Sequence, residues 1–422
     1  MKILTALFDK IDESRILDRN LLKNGDTYDK TLLWVLLSLL CFGLVMVYSA
    51  SVAQTGNGYS GNRYLFLQKQ AQYALYGLIV SYVMSRAPMW RWQRWSKLLV
   101  PLTGILLLAV WAVGEKVNGA SRWLPTPFGF KVQPSEIAKL VTIVYMASFF
   151  KRKVDYLHDF RRVSLVGIPV GIGAFLILVT RDLGSVVVVL GIALGLLFLV
   201  NLPARWFWSA VAILVSVVAV LIASSEFRMR RIGVMWRPWE DPYGTGYQGL
   251  GSLLSLDRGG LWGTGLGNAV FKRGFLPEAH TDFILAVIAE EMGLVAVFCV
   301  IAAYLWLIWR AFSIGKQARD LKLYFNAFIA IGIGLWVAAQ SFINIGVNIS
   351  LLPNKGLTLP LISYGGSSLM VMMVAFTMLL RVDYENRRVL RGYCVADPLE
   401  KKSVRPQAAR NNRQEEYDGQ TA

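Results

Sequence analysis

The chain has 422 residues, 55% of them hydrophobic and 17% charged, with a mean hydropathy of +0.47 and a formal net charge of +17. A soluble domain of this size carries about 25% charged residues, so the composition excludes a soluble globular protein and indicates a polytopic membrane protein. The excess of Lys and Arg does not indicate nucleic acid either, because these residues fall mostly in short loops between apolar runs, as the inside-positive rule expects.

The first thirty residues are polar and charged, and the first apolar run is too long and too far into the chain for a cleavable signal. A membrane helix needs ~20 mostly apolar residues. Such runs occur at 32–53, 66–84, 98–114, 137–150, 163–180, 183–202, 204–223, 283–312, 324–347 and 360–380, the fourth being short. They predict an all-α polytopic membrane protein with about ten transmembrane helices. Arg86, Arg91, Arg94 and Lys97 share one loop, and Lys151, Arg152, Lys153, Arg161 and Arg162 lie two loops later. Arg310, Lys316, Arg319 and Lys322, then Arg381, Arg387, Arg388 and Arg391, continue that side. It is therefore read as cytoplasmic, with both termini inside. The resulting organisation is a cytoplasmic segment 1–30, a membrane domain 31–382 with a large outer loop 224–281 before the eighth span, and a polar, disordered cytoplasmic tail 383–422. No disulfide is expected, since Cys41 and Cys299 lie in apolar runs and Cys394 lies in the tail.

The large outer loop breaks the charge rule with Arg228, Arg230, Arg231, Arg237, Arg258, Lys272 and Arg273, interleaved with Trp236 and Trp239. Two readings stand: anchoring at the membrane interface, or binding of an anionic group such as a phosphorylated lipid headgroup. The loop ends in a glycine-rich stretch and a polar cluster, Glu278, His280, Thr281 and Asp282. With Pro277 at a first helical position, Glu278 and Asp282 share a helix face. Asp282 is then either a helix cap or a catalytic carboxylate at the membrane surface, beside glycines that permit close backbone approach.

Polar groups also interrupt the spans. Gln340, Asn344 and Asn348 recur at intervals of four and form one stripe, suited to joining membrane helices or to contacting substrate. Glu136, Lys139 and the turn residue Asp182 form a predicted network of mutually neutralising charges. Glu290 lies ~12 Å along the helix from Asp282, as a functional group or a paired structural charge.

The strings VMVYSAS (45–51), GASRWL (119–124), QPSEIAKL (133–140), DLGS (182–185), GYQ (246–248), GLGNAVFKRGFLPEAHTDFI (265–284), AEEMG (289–293) and NIGVNISLLPNKGLTLPLISYGGSS (344–368) occur in this order. Together they resemble the SEDS family of bacterial peptidoglycan glycosyltransferases, over nearly all of 29–388, and the division branch more than the elongation branch. The resemblance implies a ten-helix fold that polymerises lipid II on the outer face of the cytoplasmic membrane, during cell division. It places the essential aspartate at Asp282, a sensitive arginine at Arg122, a Glu–Lys pair at Glu136 and Lys139 with Asp182 opposite, and an outer-loop lysine at Lys355. The family's second basic residue beside Arg122 is absent here, and the turn before Asp182 departs from its usual pattern. Glu278, His280 and Arg231 join Arg122 and Lys355 as candidate substrate-binding residues, and Gln340 and Asn344 join the supporting network.

Transfer from a diphospholipid has a good anionic leaving group, so it needs charge stabilisation and a base for the acceptor hydroxyl, here Asp282. One direct displacement inverts the donor anomeric centre. A divalent cation, Mg or Mn, is suggested by the resemblance; no His/Cys cage is visible, so substrate phosphates and a carboxylate would hold it. The expected partners are lipid II, membrane lipid, a class B penicillin-binding protein and other division proteins, at the septum of the inner membrane. The competing readings are a flippase for the lipid-linked precursor, with Glu290, Gln340 and Asn344 along its path, and a noncatalytic division scaffold.

Overall fold

The computed structural model describes residues 28–54, 63–117, 120–125, 131–153, 160–200, 204–244 and 246–393. In chain order the helices are α1 (Lys30–Gln54), α2 (Leu65–Ser85), α3 (Met89–Val113), α4 (Pro134–Lys153), α5 (Phe160–Val179), α6 (Leu183–Leu199) and α7 (Ala204–Ala223). They continue with α8 (Glu226–Trp236), α9 (Tyr247–Gly259), α10 (Ile284–Asp320), α11 (Tyr324–Asn348) and α12 (Gly366–Leu390). Among the described residues, α1, α3, α10, α11 and α12 are long and apolar enough to cross a membrane, and 166–179, 183–199 and 204–220 form shorter apolar helices. Helices are the natural outcome for such runs, because each backbone polar group finds its partner within the segment.

Every predicted apolar run coincides with a helix, but three boundaries move. Helix α3 opens at Met89, so Arg91, Arg94 and Lys97 ride on its first turns while Trp92, Gln93 and Ser96 turn inward. The last run starts with a non-helical turn, and α12 then runs through Asp383 to Leu390. The proposed tail boundary at Asp383 is thus displaced: Asp383, Glu385, Asn386 and Arg387 are buried. Arg387 Nε donates to Asp383 at 2.7 Å, Arg310 pairs with Asp29, and Glu385 accepts from Arg381, Asn326 and the Met89 amide. Asp29 also accepts from the Leu32 amide at 3.0 Å, capping α1. Buried carboxylates persist in a helix interior when cations and amides satisfy them, which a reading by net polarity misses. The rest of the tail, 394–422, and residues 1–27 lie outside the described residues.

The third change is inside α10. The run 283–312 reads as one span, yet the helix breaks at Gly293, whose φ of 78° and ψ of 177° belong to a region open essentially to glycine alone. Chain from the glycine-rich loop enters the break. Thr264 and Gly265 donate their amides to the carbonyls of Glu290 and Glu291, while Leu294 and Val295 donate to those of Gly260 and Leu261. A Cβ on Gly263 would lie 2.2 Å from the Glu291 carbonyl oxygen, so the two backbones touch only because no side chain intervenes.

Helix α11 is the centre of the bundle, packed against α4, α6, α10 and α12, with Trp336 fully buried. One end of the bundle carries an exception to the all-α expectation. Strands β1 (Glu115–Val117), β2 (Ala120–Pro125) and β3 (Lys131–Val132) form a small antiparallel sheet in the order β1-β2-β3, pairing Glu115 with Trp123 and Leu124 with Val132. Opposite it, the segment between α11 and α12 folds down into the bundle: a Cβ on Gly43, midway along α1, would meet the Leu361 carbonyl oxygen at 2.5 Å.

Candidate active site

Asp282 lies in the turn that leads into α10, and it is half-buried. Glu278 starts that turn with a positive φ of 57°, and its carbonyl accepts from the amides of Thr281 and Phe283. The helix opens at Ile284 with Phe283 at the N-cap and no side-chain cap. Two expectations fall here: Pro277 does not begin the helix, and Glu278 and Asp282 do not share a helical face. The cap reading of Asp282 falls with them.

What fixes Asp282 is its carbonyl, not its carboxylate. Asn344 and Asn348 both donate Nδ2 hydrogens to it, at 3.0 and 2.9 Å. Asn348 Oδ1 in turn accepts from the Ala286 amide at 3.0 Å, closing the open end of α10. Asn344 also donates to the Leu357 carbonyl at 2.7 Å, and Gln340 donates to that of Thr358 at 2.8 Å. The polar stripe is therefore glue, joining α11 to α10 and α4 and also to the two non-helical segments that carry Asp282 and Leu357–Thr358. Asn348 is as well placed as Asn344; the four-residue spacing signals it.

Loop 353–359 brings the site together. At Gly356, φ is +65°, and a Cβ would sit 3.4 Å from Asp282 Oδ2 and 4.0 Å from Arg122 Nη1. A bare glycine thus leaves room for the carboxylate and the guanidinium to face the same space. Arg122 reaches it from β2, donating Nη2 to the Arg181 carbonyl at 2.6 Å, while its Nε is buried without a partner. Arg231 from α8 donates to the Asn354 carbonyl at 3.1 Å, next to Lys355 in the same loop. Burial and the nearby Arg122 charge both lower the pKa of Arg231, so these two like charges are held close together.

The predicted charge network resolves into two neighbouring parts. Lys139, fully buried, donates to Glu136 Oε1 at 2.7 Å and to Gln340 Oε1 at 3.2 Å, and Ser368 donates to Glu136 Oε2 at 3.2 Å. Asp182 instead accepts from Ser135 at 2.7 Å, Gln133 at 3.0 Å and the Ser185 amide at 3.2 Å, capping α6. Lys139 acts on Asp182 only through its field. Burial alone raises a carboxylate's pKa, but Arg122, Ser135, Lys139 and Ser185 together hold Asp182 below the usual range.

Other polar residues of this region are buried or paired. His280 is buried, its ring centroid 4.4 Å from that of Phe66 and 5.4 Å from that of Tyr364. Burial lowers its pKa against the opposing pull of Glu278, and its Nδ1 is buried without a hydrogen-bond partner. Lys272 is also buried, paired with Glu291, which accepts from Ser49 as well. Arg258 lies 3.5 Å from Glu290, which accepts from the Val270 amide at 2.6 Å. Two of the seven basic residues of this loop, Arg258 and Lys272, thus hold it to the broken helix, through Glu290 and Glu291. Glu278 remains exposed, hydrogen-bonded by Thr281 at 2.9 Å.

Asp282 is the carboxylate whose environment suits proton transfer. Burial is the main cause, and the charges of Glu278 and Asp182 add to it against Arg122, pushing its pKa up to about 7. Glu278→Gln removes one of those negative charges. If deprotonated Asp282 is required, the acid limb of the pH–rate profile moves to lower pH in this variant. A limb that stays in place uncouples Glu278 from the group that titrates.

The FtsW/RodA/SpoVE model, described as "Cell cycle protein", matches residues 30–388. The chain belongs to that family. "Probable peptidoglycan glycosyltransferase FtsW" of Neisseria gonorrhoeae is 43% identical over 417 residues, covering 90% of each chain. The like-named protein of Escherichia coli O6:H1 is 42% identical over 363 residues, covering 85% of this chain and 87% of its own. Among solved structures, a chain from a peptidoglycan synthase complex, studied for the coordination of polymerization and crosslinking, superimposes with a TM-score of 0.68. That chain is 26% identical, and the match covers 85% of this chain and 98% of it. Thermus thermophilus rod shape determining protein RodA shares the fold at a TM-score of 0.61 and 24% identity, over 85% of this chain and 97% of its own. Both of these curated relatives carry the FtsW name.

Proposed function

We propose that the chain is a peptidoglycan glycosyltransferase that polymerises lipid II, with Asp282 as general base. The observation that carries this reading is the space at Gly356, where the Asp282 carboxylate, free of any capping role, faces Arg122. The acceptor sugar hydroxyl gives its proton to Asp282 as its oxygen forms a bond to the donor anomeric carbon. The bond from that carbon to the diphosphate oxygen breaks, the leaving diphospholipid keeps the electron pair, and the anomeric centre inverts. A base with a pKa near the working pH is well matched to this task. Arg122 and Arg231, with Lys355 in the loop that Arg231 contacts, are the cations offered to the departing diphosphate.

Asp282 and Glu278 are hard oxygen donors of the kind Mg or Mn accepts, and neither is locked into an ion pair. Together with substrate phosphates they would hold such a cation, which supplies further neutralisation of the leaving group. Against the flippase reading, Gln340 and Asn344 hold the Thr358 and Leu357 carbonyls and one oxygen of Glu290 holds the Val270 amide, so these groups have structural work to do.

The orientation follows from the basic loops, with about ten crossings and both ends of the membrane domain in the cytoplasm. Applied to intact spheroplasts, a membrane-impermeant thiol reagent should label Gly244→Cys; protection of that position in intact cells with labelling after lysis reverses the orientation. A class B penicillin-binding protein is the proposed partner, supported by the synthase-complex chain of like fold, and the septum is the proposed location, supported by the FtsW-named relatives. The decisive assay supplies purified lipid II to the purified chain, alone and with that partner. Glycan strands are expected; lipid movement across vesicles without any polymer, in both preparations, overturns the assignment.

A further inference from the structure

A second feature lies at the far end of the bundle from Asp282. Helix α10 starts beside Asp282, and its far half carries Arg310, which pairs with Asp29 at the start of α1. At that end a groove of about 600 Å³ opens between α1, α2 and α12, within the 300–1,000 Å³ typical of small-molecule sites. Its walls are apolar, with Leu36, Leu40, Leu78 and Phe376 among them, and Leu361 forms the floor. From Lys30 to Leu40 along α1 is ~15 Å, about what one leaflet contributes to the hydrocarbon core.

The mouth is basic and aromatic. Arg86 is exposed, stacks over the Tyr82 ring at 4.8 Å and bonds the Tyr82 hydroxyl; among the described residues no carboxylate pairs with it. Arg381 stands beside it, bonded to Glu385 and to the Ser85 carbonyl and stacked on Tyr384. Below them the hydroxyl of Ser81 lines the groove and is buried with no hydrogen-bond partner. Ser81 is five residues from Arg86, hence ~7 Å deeper. A phosphate at the arginines places its glycerol ester carbonyls at about the level of that orphan hydroxyl.

We propose that this groove binds an anionic glycerophospholipid of the cytoplasmic leaflet, one acyl chain between α1, α2 and α12 and the phosphate against Arg86 and Arg381. Tyr28, Tyr82 and Tyr384 sit at the mouth, where amphipathic rings mark the membrane interface. The lipid-linked substrate is a poor fit, because its headgroup must be at Asp282, on the opposite face. The leaflet named here rests on the orientation given above; occupancy of the groove does not.

Native mass spectrometry of the delipidated full chain, with phosphatidylglycerol and phosphatidylcholine of matched acyl chains, tests this without reference to polymerisation. Phosphatidylglycerol is expected to bind about tenfold more tightly, as two basic side chains near an anionic headgroup allow. Arg86→Ala should narrow that preference, and Leu78→Trp, at a position already 43% exposed, should fill the groove and displace both lipids. Equal retention of the two lipids by the wild type overturns the proposal. So does retention untouched by Leu78→Trp, or displacement of phosphatidylglycerol by equimolar undecaprenyl phosphate. Since none of these residues touches the candidate active site, failure here leaves the glycosyltransferase reading standing.

Discussion

Asp282→Asn is expected to bind lipid II and to make almost no glycan, with a loss of ~100- to 10,000-fold for removal of a general base. The amide keeps the shape of the side chain, and the two asparagine bonds go to the backbone carbonyl, so the turn should persist. The same substitution carries a second signature of opposite sign. The folded pKa of Asp282 is about 7 against an ordinary 3.8, so the folded state resists ionisation that the unfolded chain accepts. That cost is absent below the unfolded pKa, grows as pH rises between the two values, and is complete above about 7. Asp282→Asn should therefore melt at a higher temperature than the wild type at pH 8, with the gap shrinking toward pH 5. Inactivity combined with higher stability marks a group kept for chemistry at the expense of folding. Robust polymerisation by the variant removes Asp282 from the mechanism.

Lys139→Ala should act through stability. It leaves Glu136 buried at 3% exposure without its cation, and breaking a buried pair from one side typically costs about 3–5 kcal/mol. Gln340, which also accepts from Lys139, loses a partner in the helix that positions Asp282. The expected result is a lower melting temperature in detergent together with reduced polymerisation. Removing both charges, as Lys139→Met with Glu136→Gln, should recover much of the stability, because no unpaired charge remains. A Lys139→Ala protein that melts with the wild type shows that the pair contributes nothing.

Hydropathy made the bundle legible because lipid-facing and core-facing residues are equally apolar, so even the weakly packed α7 announces itself. The same criterion is blind to backbone geometry. Nothing in the apolar run 283–312 distinguishes Gly293 from the harmless glycines of α5, since the difference lies in a loop some thirty residues earlier that docks against it. Charge was legible by location but not by use. Lys272 and Arg231 look alike in the outer loop, yet one is buried against Glu291 and the other stands at the site. Arg122 and Asp282 are 160 positions apart, and only family resemblance, not spacing, could nominate both. The polar stripe was visible as glue between helices, but several of its partners, the carbonyls of Asp282, Leu357 and Thr358, belong to non-helical segments that no periodicity describes.

The break at Gly293 also has a mechanical meaning. Beyond it, residues 294–320 form a rod ~40 Å long, well over the ~30 Å of a bilayer's hydrocarbon core. A rod of that length answers a change in membrane thickness by changing its tilt. An unbroken helix would pass that rotation on to its own first turn and swing Asp282 away from Arg122. Here the first turns are held in place by backbone hydrogen bonds to the glycine loop and by the Asn348 side chain of α11. The same loop also takes the Leu294 and Val295 amides beyond the break, so it splints both sides of Gly293 and the bend keeps a fixed angle between the long segment and the turn that carries Asp282.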